Sequence, residues 1–121
     1  ETVKRKMISD IFCKIIKGEL PADIVYEDDE FLAIKDIRPK APIHLLIMPK
    51  KHFDKIHAAS HEDLDLLGKM MITAGKVAKI MGLDEKGYRL IINQGQQAGQ
   101  LVPHLHLHLL GGKNLGPKII G

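Results

Sequence analysis

Two hydrophobic periods divide the chain. Apolar residues recur every three or four positions in two segments, and they alternate with polar residues or run in short blocks in five others. In SDIFCKIIKGEL (9–20), Ile11, Phe12, Ile15 and Ile16 share one side of a short helix, with Ser9 placed to cap its start and Gly18 its end. In SHEDLDLLGKMMITAGKVAKIMGL (60–83), the repeat Leu64, Leu67, Met71, Ala74, Ala78, Met81 predicts one long helix with a buried stripe. Ser60 and Asp63 resemble a capping box, and Lys76 and Lys79 suit the negative end of the dipole before Gly82. The methionines read as core filler.

The other segments read as strands. ADIVYE (22–27) and EFLAIKD (30–36) are joined at Asp28-Asp29 as a hairpin, and the turn DIRPKAP (36–42) leads into IHLLIMP (43–49). GYRLIIN (87–93) and VPHLHLHLL (102–110) flank the polar, glycine-containing loop QGQQAGQ. Short connections between neighbouring strands favour antiparallel pairing, so the expected fold is an α+β domain with helices on one face of a five-stranded sheet.

Length and charge narrow the picture. With 121 residues the chain is expected to form one domain over 9–121, behind a loose leader at 1–8. The balance of 18 basic against 15 acidic residues is mild and spread out, so no nucleic-acid partner is expected, while small anionic ligands remain plausible. The single cysteine, Cys13, excludes an intrachain disulfide and fits a reducing cytoplasm. No apolar run is long enough for a membrane span, and ETVKRKM does not read as a signal peptide.

The candidate chemistry lies in HLHLHLL (104–110). In a strand, His104, His106 and His108 line one face while Leu105, Leu107 and Leu109 line the other. Packing asks only for some polar residue at the exposed positions, so three histidines point to chemistry. A metal shared by all three is disfavoured, because Cα atoms four strand residues apart are roughly 13 Å from one another. Nucleophilic catalysis fits better: neutral imidazole attacks phosphorus, and neighbouring rings that resist being charged together leave one neutral while another carries a proton.

HLHLHLL matches the His-φ-His-φ-His-φ-φ signature of the histidine-triad (HIT) superfamily, and the following Gly111-Gly112-Lys113 resembles its histidine-triad nucleotide-binding branch, the adenosine phosphoramidases. SDIFCKIIKGELPA, AIKDIRPKAPIHLLIMPKKH and INQGQQAGQ resemble that branch in the same order. The resemblance implies a homodimer whose two sheets join, with a purine nucleotide such as AMP or GMP as ligand. It also implies that His106 is the nucleophile at the α-phosphorus and that His108 contacts phosphate and leaving group. His104 and His44 would then support the nucleophile's ring, with His52, His57 and His61 left as surface histidines.

By the same resemblance Asp36 is the ribose-binding acid; on its own it also reads as a turn acid before Pro39. Ile11, Phe12, Ile15, Ile34, Lys35, Ile37 and Leu46 match the base-pocket region, and Asn93, Gly99, Gln100 and Val102 the phosphate-side loop. Three departures stand out: Leu101 where many members have serine, Asp10 in place of the first cysteine of the C-x-x-C pair found in zinc-carrying members, and a tail, LGPKIIG, without tryptophan. The second departure implies no metal and no cofactor. The expected function is therefore cytoplasmic, homodimeric hydrolysis of the P–N bond of purine nucleoside 5′-phosphoramidates or aminoacyl-AMP. The rivals are a dinucleoside polyphosphate hydrolase and a nucleotide-binding regulator with weak catalysis. The nucleotidylyltransferase branch is disfavoured by Leu107, where it usually has proline.

Overall fold

The computed structural model describes residues 10–117. Helix α1 (Ile11–Ile16) is followed by β1 (Ile24–Glu27), β2 (Phe31–Lys35) and β3 (Ile43–Pro49), then helix α2 (Leu64–Ile80), β4 (Tyr88–Ile91) and β5 (Leu107–Gly111). All pairings are antiparallel, in the order β1-β2-β3-β5-β4, so β5 inserts between β3 and β4. The expected five-stranded α+β sheet with one short and one long helix is the observed one. No helix among the described residues is long and apolar enough to cross a membrane.

The pleat explains both cores. Alternate residues of β2, β3 and β5, including Phe31, Ala33, Leu45, Ile47, Leu107 and Leu109, meet Met70, Ala74, Val77 and Ala78 of α2 on one face. The intervening residues Leu32, Ile34, Leu46 and Met48 meet Phe12 of α1 on the other. The helices therefore cover opposite faces, which corrects the one-faced expectation. The signal lay in FLAI and LLIM, continuous apolar runs that a strand shows when both of its faces are buried.

Three further details differ from the sequence reading. Ser9, the expected cap of α1, lies outside the described residues; Asp10 is the N-cap, its carboxylate accepting the Cys13 N–H at 2.7 Å. The buried face of α2 carries Met70, Thr73, Ala74, Val77 and Ala78, whereas Leu64 and Met71 of the expected stripe are exposed, as are Ile72 and Ile80. A helix apolar on two sides offers two stripes of the same period, and spacing alone does not rank them. Finally, β5 begins only at Leu107, so His104 and His106 sit on the segment that enters it. The capping box at Ser60 and Asp63 is present, opening a 3₁₀ turn that leads into α2.

The glycine pair after the triad has a packing reason. A Cβ on Gly111 would stand 2.8 Å from Leu83 Cδ1, and Gly112 has φ +91°, where a Cβ would stand 3.1 Å from Pro42 Cβ. A side chain at Gly111 would require Leu83 to shift, and glycine at 112 lets the chain leaving the histidine strand turn close to Pro42 in the loop that leads to His44.

Candidate active site

The α1-facing side of the sheet gathers the histidines. Leu46 of β3 pairs with His108 of β5, and His44 lies two residues earlier on the same pleat face. The rings of His44 and His108 are 5.2 Å apart, those of His108 and His106 5.1 Å, and Phe12 meets His106 edge-on at 5.0 Å. Leu105, Leu107 and Leu109 point into the opposite core, as the alternation requires. The imidazole face is not open to water: His104 is fully buried, His106 and His44 are buried, and His108 is partly exposed. Phe12 of α1 covers His104 and His106, meeting both rings edge-on.

Backbone groups set the tautomers. His106 Nδ1 stands 2.7 Å from the His104 carbonyl, and a carbonyl only accepts, so Nδ1 carries the proton and Nε2 keeps its lone pair. At His44 the logic inverts: the Lys40 N–H donates to Nδ1 at 3.0 Å, which places the His44 proton on Nε2. That Nε2–H faces His108 Nδ1 at 2.9 Å, with an Asp36 carboxylate oxygen 3.3 Å away. His108, accepting on Nδ1, therefore bears its own proton on Nε2. Two neighbouring rings thus present opposite chemistry, a lone pair on His106 and an N–H on His108.

Electrostatics keep these rings neutral. Burial pushes the His106 pKa below the ordinary 6.5, and it pushes His44 down as well, against the opposing pull of Asp36. His108 is lowered to about 4, first by burial and then by the positive charge that His106 and His44 would carry.

The remaining expected site residues divide. Ile34 and Leu46 are buried beneath Phe12, with Ile15 and Val102 packed against the same cluster. Ile11 is half exposed, Ile37 is almost fully exposed and Lys35 pairs with Asp23 on the surface. Asp36 combines both readings made of it: one oxygen accepts the Arg38 N–H at 2.8 Å in a turn, while the other faces His44. Asn93 is partly buried, Gly99 takes a left-handed φ of +84°, and Leu101 is 92% exposed. The Gln100 side chain shapes its loop, accepting the Gly95 N–H at 2.7 Å and donating to Asp54 at 2.9 Å and the Val102 carbonyl at 3.0 Å.

His104 and His44 do not share one task. His44 holds the His108 ring, and His104 touches His106 through its carbonyl, while its own ring turns away. That ring donates from Nε2 to the Pro49 carbonyl at 2.8 Å and presents Nδ1 to Asp10 at 3.2 Å and to Cys13 Sγ at 3.7 Å. His52, expected on the surface with His57 and His61, joins this group 3.0 Å from the same Asp10 oxygen; only His57 and His61 are exposed. Asp10, Cys13, His52 and His104 place one donor atom each within 4.8 Å of one another, a set whose chemistry suits a transition metal. Asp10, expected to leave this place without a metal, brings its carboxylate to the other three donors. Sequence reasoning passed over His52 since a lone histidine after Pro-Lys-Lys carries no periodic signal.

A cavity of about 650 Å³ lies elsewhere, between the C-terminal end of α2 and the start of β4, lined by residues including Leu83, Tyr88, Arg89 and Lys113. It gathers no nucleophile beside a base, so the chemistry is assigned to the histidine face.

The HIT domain family model matches residues 17–115. The chain is 48% identical over 109 residues to purine nucleoside phosphoramidase of Escherichia coli K12, covering 90% of this chain and 92% of that protein. It resembles the solved structure of a HIT family hydrolase from Clostridium thermocellum with 52% identity and a TM-score of 0.88, over 93% of this chain and 97% of that one. A zinc-bound histidine triad family protein from Mycobacterium smegmatis is similar at 35% identity and a TM-score of 0.72, over 90% and 78% of the two chains. From its triad strand, its topology and these relatives, the chain belongs to the HIT domain family.

Proposed function

We propose that this HIT-family hydrolase cleaves the P–N bond of purine nucleoside 5′-phosphoramidates, such as adenosine phosphoramidate or aminoacyl-AMP, through a covalent nucleotidyl-His106 intermediate. The observation that carries the reading is the fixed pair of tautomers. His106 Nε2, its lone pair secured by the Nδ1–H bond to the His104 carbonyl, attacks the α-phosphorus. The P–N bond breaks and the departing amine takes a proton from His108 Nε2. The substrate's phosphoryl charge beside His108 opposes the depression of its pKa, so the ring can gain that proton from solvent. Water then attacks the same phosphorus, its proton passes to His108 and the bond to His106 breaks, releasing the nucleoside monophosphate. A relative of 48% identity is named purine nucleoside phosphoramidase, which supports this substrate class.

In this reading Phe12, Ile34 and Leu46 hold the base, with Ile11, Ile15, Lys35 and Ile37 around it, and Asp36 accepts from the ribose hydroxyls. Asn93, Gly99, Gln100, Leu101 and Val102 border the phosphate. The enzyme acts in the cytoplasm as a homodimer. A second copy covers the exposed apolar side chains Leu64, Met71, Ile72 and Ile80 of α2 and extends the sheet from the edge strand β4. Turnover of adenosine phosphoramidate against a dinucleoside polyphosphate, each with and without chelator, tests the function. Preference for the phosphoramidate, undiminished by chelator, is expected; preference for the polyphosphate, or dependence on added metal for turnover, would overturn it.

A further inference from the structure

We propose that Asp36, besides accepting from the ribose, is a positioning residue of the proton-transfer step: its carboxylate takes over the His44 N–H when His108 becomes charged, and supplies the counter-charge. The inference rests on the reading of His108 as proton donor to the departing amine. It begins with the placement of protons. In the free enzyme His44 Nε2–H points to His108 Nδ1 at 2.9 Å, and the Lys40 N–H fills His44 Nδ1 at 3.0 Å. His108 carries its one proton on Nε2, so the proton that charges the ring must come to Nδ1. There it meets an N–H, because His44 has no lone pair left to accept it.

A second acceptor for the His44 N–H is therefore required, and Asp36 is within reach. Its Oδ2 stands 3.3 Å from His44 Nε2, and Asp36, His44 and His108 bring one polar atom each within 4.8 Å of one another. Oδ1 accepts the Arg38 N–H at 2.8 Å, which fixes the carboxylate in its turn and leaves Oδ2 for the histidines. A small swing of the His44 ring moves its N–H from His108 to Oδ2 and clears Nδ1 for the incoming proton. Charge points the same way. His108 faces His106 at the entry to β5, His44 on β3, and Lys40 and Asp36 in the loop between β2 and β3. Burial, His106, His44 and Lys40 oppose a positive ring, and Asp36 alone of these favours it.

The protons balance over both halves of the reaction. Solvent gives a proton to His108 Nδ1, and the His44 N–H passes to Asp36. His106 Nε2 bonds to phosphorus, the P–N bond breaks with its electron pair on nitrogen, and that nitrogen takes the proton from His108 Nε2. His108 is left neutral, with its proton on Nδ1 and a lone pair on Nε2. This is the tautomer the second half needs, since Nε2 then accepts the proton of the attacking water. Return of the Nδ1 proton to solvent, and of the His44 N–H to His108, restores the starting arrangement.

The test compares leaving groups on the full chain. An alkylamine phosphoramidate of AMP needs the proton from His108; the p-nitrophenyl ester of AMP, whose nitrophenolate departs as an anion, does not. Both carry the same ribose, so the grip of Asp36 on its hydroxyls cancels in the ratio of the two kcat/KM values. Asp36→Asn keeps the oxygen that accepts the Arg38 N–H and removes the charge. It should lower kcat/KM for the phosphoramidate roughly tenfold more than for the ester, since each unit by which the His108 pKa falls cuts the protonated fraction tenfold. The difference should persist when both substrates carry 2′,3′-dideoxyribose, and ring ¹⁵N NMR should show His108 titrating lower in the variant than in wild type. Retained activity on the ester shows that the variant is folded. Equal losses on the two substrates, an unchanged His108 titration, or a difference that vanishes without the hydroxyls would overturn the inference and leave Asp36 a ribose ligand. A wild type that turns over the ester but not the phosphoramidate would overturn the hydrolase reading, and the inference with it.

Discussion

His44 takes the Lys40 N–H on one ring nitrogen and turns the other, 2.9 Å away, to Nδ1 of His108. Its task is therefore to fix the orientation and tautomer of His108, at one remove from the reacting atoms. His44→Ala is expected to lower kcat by about 10–100-fold, the range of a misplaced acid–base group, while KM changes only a few-fold. The same variant should shift upward the limb of the pH profile that His108 governs as proton donor, because it removes one of the neighbours that hold the His108 pKa down. An unchanged profile with an equal loss in KM would assign His44 to binding.

The pH dependence follows from the depressed rings. His106 must be neutral to attack, and burial holds its pKa below the ordinary 6.5. The free-enzyme profile of kcat/KM should stay level as pH falls through 6.5 and decline only below it, with apparent values belonging to the coupled rings. His108 faces His44, His106, Asp36 and Lys40, and its folded pKa of about 4 lies below the unfolded 6.5. The unfolded chain binds the extra proton first, so this contribution to stability is complete above pH 6.5 and is lost as pH falls toward 4. Urea midpoints across that range check it; a midpoint that rises on acidification would contradict it.

Leu101 is 92% exposed and carries no hydrogen-bonding group where many histidine-triad members have serine. A hydrogen bond to a charged phosphoryl oxygen or departing nitrogen is worth about 1.5–3 kcal/mol, so Leu101→Ser should raise kcat/KM for unsubstituted adenosine phosphoramidate by roughly 10–100-fold. The gain should be smaller for an apolar N-alkyl derivative. Equal or lower activity on both substrates would mean that the site has no use for the hydroxyl.

Gly111→Ala sets a Cβ 2.8 Å from Leu83 Cδ1 in the core between α2 and the sheet. Overpacking of this kind costs about 1–3 kcal/mol, read as a lower urea midpoint with an unchanged slope. In a Leu83→Ala background the same substitution should cost less, since the obstructing atoms are gone.

How much of this was legible in the sequence depended on whether the signal was periodic or spatial. Alternation at 104–110 placed the leucines in one core and the histidines on the opposite face, and the unbroken apolar runs of β2 and β3 held the information that both faces are covered. The stripe of α2 was misread at Leu64 and Met71 because apolar residues occupy two sides of that helix. The Asp10, Cys13, His52 and His104 group had no sequence pattern of its own. Its members come from a cap, a helix turn, the exit of β3 and the entry to β5, and only the close approach of α1 to the sheet brings them together. The separate tasks of His44 and His104 were equally hidden, since both rest on single backbone contacts with Lys40 and Pro49.

The central claim is the covalent nucleotidyl-His106 intermediate, and rapid-quench analysis of wild type with adenosine phosphoramidate labelled at the α-phosphorus tests it most directly. Within the first turnover the label is expected on His106, located by peptide mapping, and to decay at a rate consistent with product formation. His106→Ala should show neither label nor turnover while still binding AMP. Single-turnover formation of product without any labelled protein, or label on another residue in the wild type, would contradict the account.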